Sequence, residues 1–240
     1  MIEQNAHKAR NLIEMSKLRW SALPLAILLV AGCGGPSAPS VEGEDGYTLD
    51  TLALDGMDSL AFDPAPQLEP ASQMTIEFWV KPDWSGAPEF DPVIVSNAGA
   101  EGASYLVAVN RERDGLTVVS GEQVDVAPFD FTDGKLHHVA LIDYGDTTTV
   151  MIDNQAVAEL DIDFTSLPSD GLYVGSARGG DSAFSGVIGG LRVWDVAVSP
   201  NDLASYAMRD VAVDGALHPD LPYLAVLSEF DKERVVYPDE

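Results

Sequence analysis

Cysteine is nearly absent: Cys33 is the one thiol in 240 residues. That excludes an intramolecular disulfide and a cysteine zinc site. Positive charge is scarce as well. Thirteen Lys and Arg stand against 39 Asp and Glu, a formal net charge of −26. Such a chain repels nucleic acid and anionic membrane surfaces, so a nucleic-acid partner is not expected. Long apolar runs are missing too. The longest lies within Ala22 to Ala31, well short of the ~20 residues that span a bilayer. There is no glycine-rich phosphate loop, no nucleophile elbow, no zinc-protease helix and no ordered Ser/His/Asp motif. With 46% hydrophobic residues, enough apolar matter remains to bury a core.

The N-terminus speaks to location. Lys17 and Arg19 precede the apolar stretch, which runs into Val30-Ala31-Gly32-Cys33. A short apolar segment behind basic residues reads as a secretory signal. Small residues ahead of the cysteine resemble a bacterial lipobox. The resemblance implies cleavage before Cys33, acylation of that residue and attachment to membrane lipid, with Gly34 after the cysteine pointing to the outer membrane or cell surface. An ordinary signal peptide with an incidental cysteine is the plainer alternative. Met15 is the expected start, because it leaves an n-region of ordinary length. The segments expected are a signal over 1–32, a lipidated cysteine and Gly/Pro/Ser-rich tether over 33–46, a globular domain over 47–211 and an extension over 212–240.

From Tyr47 onward, short β-branched and aromatic runs alternate with Gly, Pro, Asp and Asn. Thr75–Val80, Val93–Val95, Tyr105–Val109, Leu116–Val119, His137–Ile142, Leu172–Val174 and Leu191–Trp194 read as strands. Thr147–Ile152 and Ala156–Leu160 flank Asp153-Asn154-Gln155, a hairpin signal. Ser199-Pro200-Asn201-Asp202 combines an N-cap serine, a first-position proline and an early acid, predicting one short helix near 200–208. The fold class expected is all-β, an antiparallel sandwich.

Particular motifs carry a resemblance. Leu54-Asp55-Gly56, Thr75 to Pro82, Asp133-Gly134-Lys135-Leu136-His137-His138-Val139-Ala140, Tyr173-Val174-Gly175 and Phe184 to Asp195 occur in order. Together they resemble the laminin-G-like jelly roll of the concanavalin A-like lectin/glucanase superfamily, with a pentraxin-like closing motif, over about residues 50 to 208. The resemblance implies two packed antiparallel sheets and recognition of a carbohydrate or protein ligand. In three places the sequence departs from the family. Leu136 stands where Trp is usual, and Asp153-Asn154 where Asp-Gly is usual. The opening strand before Leu54 is hard to see, and Leu221 to Asp231 looks like that strand instead, so it is expected to add to a sheet edge.

Several residues are candidates for chemistry. Glu159, Asp161 and Asp163 alternate with Leu160 and Ile162, similar to the acidic strand of β-glucanases in the same superfamily. A retaining glycosidase needs two carboxyls about 5–5.5 Å apart, whereas Cα atoms four apart on a strand lie about 13 Å apart. The plain reading is that Leu160 and Ile162 face the core and the acids face water, so no enzyme is expected; catalysis through these acids is the alternative. Calcium is the one cofactor considered. By the same resemblance, Glu101 and Asp181 align with the pentraxin calcium loops, but Arg178-Gly179-Gly180 replaces the usual Glu-Gln, and Asp55 and Asp58 are further candidates. Trp84 and Phe90, in the loop from Pro82 to Pro92, are placed either to stack on a sugar or to fold back over the sandwich edge. His137 and His138 point to opposite strand faces and read as packing residues. Trp79 and Trp194 read as core, and Arg111 and Arg113, flanking Glu112, as surface charge pairing. A binding lipoprotein, a glycosidase and a structural envelope protein are the three functions considered.

Overall fold

The computed structural model describes residues 41–42, 47–70, 72–86, 88–211 and 217–228. The signal segment, Met15 and Cys33 lie outside the described residues, as do 212–216 and 229–240. Among the described residues, fifteen strands and one α-helix follow in chain order: β1 Val41–Glu42, β2 Thr48–Leu49, β3 Thr51–Asp55, β4 Leu60–Phe62, β5 Met74–Pro82, β6 Val93–Gly99, β7 Gly102–Val109, β8 Gly115–Ser120, β9 Gln123–Pro128, β10 His137–Asp143, β11 Thr148–Ile152, β12 Gln155–Leu160, β13 Leu172–Val174, β14 Ser185–Trp194, α1 Pro200–Tyr206 and β15 Leu224–Ser228. Within the segment expected as tether, β1 pairs with β2.

Two antiparallel sheets carry the fold. One runs β12-β11-β10-β5-β14, and the far edge of β14 is shared by β3 and β15; the other runs β4-β13-β6-β7-β8-β9. Alternation explains the core. Ile76, Phe78 and Val80 of β5 and Val139 and Leu141 of β10 point inward and are fully buried against Tyr105, Val107, Leu116 and Val118 of the facing sheet. The β11–β12 connection is a tight two-residue turn, with φ of 49° at Asp153 and 65° at Asn154. Asp and Asn tolerate that left-handed region better than most residues.

Strand β14 begins at Ser185, six residues before the run that β-branched and aromatic residues mark. Its glycines hid it, and close packing explains them. At Gly190, φ is 53°, and a Cβ there would lie 2.7 Å from Leu49. Along the same edge, β3 pairs Thr51 with Gly189 through Asp55 with Ser185, and β15 pairs Leu224 with Trp194 through Ser228 with Leu191.

The outward face of the seven-stranded sheet is covered as well. Ala140, Ile142, Met151 and Trp194 pack against Val198, Leu203, Val211, Leu221 and Leu224 in a second apolar cluster. Ser199 caps α1 by accepting from the Asp202 N–H, and the helix stops at Tyr206.

Candidate functional site

At one end of the seven-stranded sheet, the finish of β5, the start of β14, the finish of β3 and the loop before β10 converge on a cleft of about 470 Å³. That volume lies within the range of small-molecule sites. Leu54, Lys81, Pro82, Trp84, Gly134 and Gly186 line it, with Asp83 and Val187. The register brings them together: Gly186 stands opposite both Pro82 and Leu54, and the Asp83 N–H donates to the Ser185 carbonyl just beyond β5.

Trp84 is fixed from two sides. Its Nε1–H donates to the Phe131 carbonyl at 3.0 Å, and the Arg113 guanidinium lies 5.0 Å from its ring centroid. The ring also packs against the main core. The loop thus folds back over the sandwich edge at Trp84 while still presenting part of the indole to the cleft. Phe90 of the same loop remains 44% exposed and does not line the cleft. Arg113 also donates to the Gly86 carbonyl, and Arg111 to the Glu89 carbonyl and, through its backbone, to Asp91. Arg111 pairs with Glu112, as expected of surface charges. The two arginines do more than the sequence shows: they clamp the 83–91 loop.

The polar groups of the cleft differ in availability. Both carboxylate oxygens of Asp83 accept from Ser85. Lys81 makes no ion pair among the described residues and is left to meet a ligand. Gly134 has φ of 71° and open space where a side chain would stand. No spacing rule pointed to Lys81, Gly134 or Gly186. Their signal was that three of the family motifs end or turn there.

Other candidates lie elsewhere. Strand β12 ends at Leu160, so Asp161 and Asp163 fall beyond the strand that was to carry all three acids. Leu160, Ile162 and Phe164 are buried while Glu159 and Asp161 are exposed, which is the plain alternating pattern. None of the three acids lines the cleft. Glu101 sits in the β6–β7 turn, whereas Asp181 precedes Ser182, whose carbonyl accepts from Val93 at the opposite end of β6. Val93 and Gly99 are about 20 Å apart along the strand, so Glu101 and Asp181 cannot share one calcium. Asp55 Oδ1 accepts the Met57 N–H in a turn, and Asp58 is exposed. Among the described residues, no three His, Cys, Asp or Glu gather in a way that would hold a metal ion. The residues present do not fit the calcium site that the family resemblance implied.

His137 and His138 part to opposite faces. His138 Nε2 meets Glu77 Oε2 at 2.9 Å under the outer apolar cluster. His137 lies at the cleft end, between Asp133 and Asp153. Burial opposes charge on Glu77, but Arg192, with His138 and Trp194 beside it, holds its carboxyl down at about 2.

A laminin G model of the concanavalin A-like lectin/glucanases superfamily matches residues 54–204, and the chain belongs to this family. No characterised sequence matches it. Among solved structures, it is similar to a Bacteroides ovatus protein described as carbohydrate-binding, with 22% identity and a TM-score of 0.58. That match covers 77% of this chain and 51% of the other, so the chain spans about half the length of that protein. It is also similar to domain 4 of AbnA, a GH43 extracellular arabinanase from Geobacillus stearothermophilus solved with arabinotriose. Identity there is 16%, the TM-score 0.51, and coverage 72% of this chain and 81% of the other. At these identities the likeness establishes the fold alone, a concanavalin A-like jelly roll.

Proposed function

We propose that this protein is a non-enzymatic binding lipoprotein that takes a carbohydrate at the cleft beside Trp84. The observation that carries the reading is the cleft itself. It joins an anchored indole edge, a cation with no carboxylate partner among the described residues and two glycine-lined walls in a volume suited to a small saccharide. Sugars offer apolar faces to aromatic rings and hydroxyls to polar donors, and both are met here. The described binding role of the Bacteroides ovatus protein and the arabinotriose on the arabinanase domain support this ligand class. Against turnover stands the placement of Glu159, Asp161 and Asp163 away from the cleft, on and beyond an edge strand.

Acylated Cys33 would hold this head to membrane lipid outside the cytoplasm, at the outer membrane or cell surface, in agreement with the lipobox-like Val30-Ala31-Gly32-Cys33. A glycan array run with and without calcium tests the whole reading. Saccharide hits that survive chelation and vanish in Trp84→Ala support it. Saccharide hits unchanged in that variant place the site elsewhere. Capture of an extracytoplasmic protein with no saccharide hit replaces the glycan by the other ligand class.

A further inference from the structure

The loop that forms the Gly134 wall of the cleft is tied to a distant turn by one histidine. His137 is buried, with 6% of its side chain exposed. Its Nε2 lies 2.9 Å from Asp133 Oδ1, and its Nδ1 lies 2.7 Å from Asp153 Oδ2. Asp153 belongs to the β11–β12 turn, and Asp133 directly precedes Gly134.

Proton counting fixes the state of this ring. An ionised carboxylate only accepts, so each imidazole nitrogen facing one must carry a hydrogen. Asp133 already accepts the Lys135 N–H at 2.9 Å and faces the Lys135 ammonium at 3.0 Å, which keeps it ionised. Asp153 accepts the His138 N–H at 3.0 Å. With both carboxylates ionised, both ring nitrogens are donors, which makes His137 an imidazolium. The remaining surroundings add no competing charge. Phe129 and Phe131 stand in T-shaped contact with ring centroids 4.9 and 5.7 Å away, Asp130 is turned to Thr132, and β5 places Val80 opposite.

We propose that His137 is a pH-operated clasp: its cation joins Asp133 to Asp153, and loss of one proton frees one of the two carboxylates and loosens the Gly134 wall of the cleft. Burial works against the cation, but the bonds to Asp153 and Asp133 outweigh it and raise the titration above the ordinary histidine range. For a group raised in the folded state, the stabilisation is complete at low pH and is lost as pH rises through the folded value. The clasp is thus closed below its folded midpoint and opens as pH rises through it. It links the cleft to ambient pH whatever ligand the cleft takes, so a failed glycan screen leaves it standing.

Nitrogen-15 NMR of the imidazole tests it. Both His137 nitrogens are expected to be protonated below a midpoint that lies above 6.5. Amide exchange at Gly134 and Lys135 should rise across that midpoint by more than the intrinsic pH dependence. Asp153→Asn removes one carboxylate and should lower the midpoint by about 1 pH unit or more. A native His137 midpoint at or below 6.5, or a midpoint unmoved in Asp153→Asn, overturns the clasp. His137→Gln should make the exchange at Gly134 follow the intrinsic rate alone. If that variant does not fold, the Asp153→Asn titration still decides.

Discussion

Glu77 and Arg192 meet at 3.3 Å on the outward face of the seven-stranded sheet, each with only 2% of its side chain exposed. Glu77 Oε1 also accepts from Trp194 Nε1. Arg192 passes the connection on, donating to the carbonyls of Tyr206 and Arg209 at 2.9 Å. The end of α1 and the turn after it are therefore held to the sheet through one buried ion pair.

Removing one partner of such a pair strands the other charge in the interior. Glu77→Gln is expected to cost about 3 kcal/mol, read as a lower denaturation midpoint at an unchanged slope. The pH profile should agree. The Glu77 carboxyl is held at about 2 against 4.5 in the unfolded chain. Its contribution is present above the unfolded value and is lost as pH falls toward 2, again about 3 kcal/mol. Glu77→Gln should flatten that acid limb.

Trp84→Ala and Lys81→Ala should leave the circular dichroism of the sandwich intact and abolish or strongly weaken saccharide retention in affinity electrophoresis. Phe90→Ala and Glu159→Gln should change retention little, because neither residue lines the cleft. Loss of retention in Glu159→Gln with release of reducing ends in the native protein would restore the glycosidase reading.

Asp143 behaves in the opposite sense to Glu77. It is 1% exposed, and burial pushes its carboxyl up to about 6, helped by the nearby Asp163 and Asp146 against hydrogen bonds from the Gly145 and Phe164 backbone. The folded state holds this proton more tightly than the unfolded one. Stability is therefore lost as pH rises from about 4 to about 6, by up to about 3 kcal/mol. Asp143→Asn, which cannot ionise, should shrink the difference in stability between pH 4 and pH 8 by that order. Urea titrations at the two pH values measure it.

Cys33→Ser should move the protein from the membrane to the soluble fraction and abolish incorporation of labelled palmitate. A variant that still sediments with membranes would remove the lipid anchor from the proposal.

The sequence revealed those strands whose side chains alternate cleanly. β5 and β10 are rich in β-branched and aromatic residues and bury nearly every position, so their pattern is strong. The β11–β12 hairpin and the Ser199 cap were visible for the same local reason. Short or polar strands were not. β4 has three residues, and β9 carries Asp125 and Pro128 and exposes Val124. The site was only half visible. Trp84 stood out within its loop, but Arg113, Gly134 and Gly186 reach it through pairings of high sequence separation that no local window contains. Alignment to loop positions misled for Glu101 and Asp181, because the length of β6 keeps them apart.

The far edge of β14 is filled by two strands lying end to end. Thr51, where one begins, stands opposite Gly189, and Ser228, where the other stops, stands opposite Leu191. Two residues along a strand is about 7 Å, so β15 and β3 together amount to one continuous strand with a nick in it. The architecture is thus that of a ring opened at this seam. A short peptide joining Ser228 to Thr51, with new ends cut at the exposed β8–β9 turn, would give a circular permutant that keeps the pairings of β3 and β15 with β14, while giving up the β1–β2 pair.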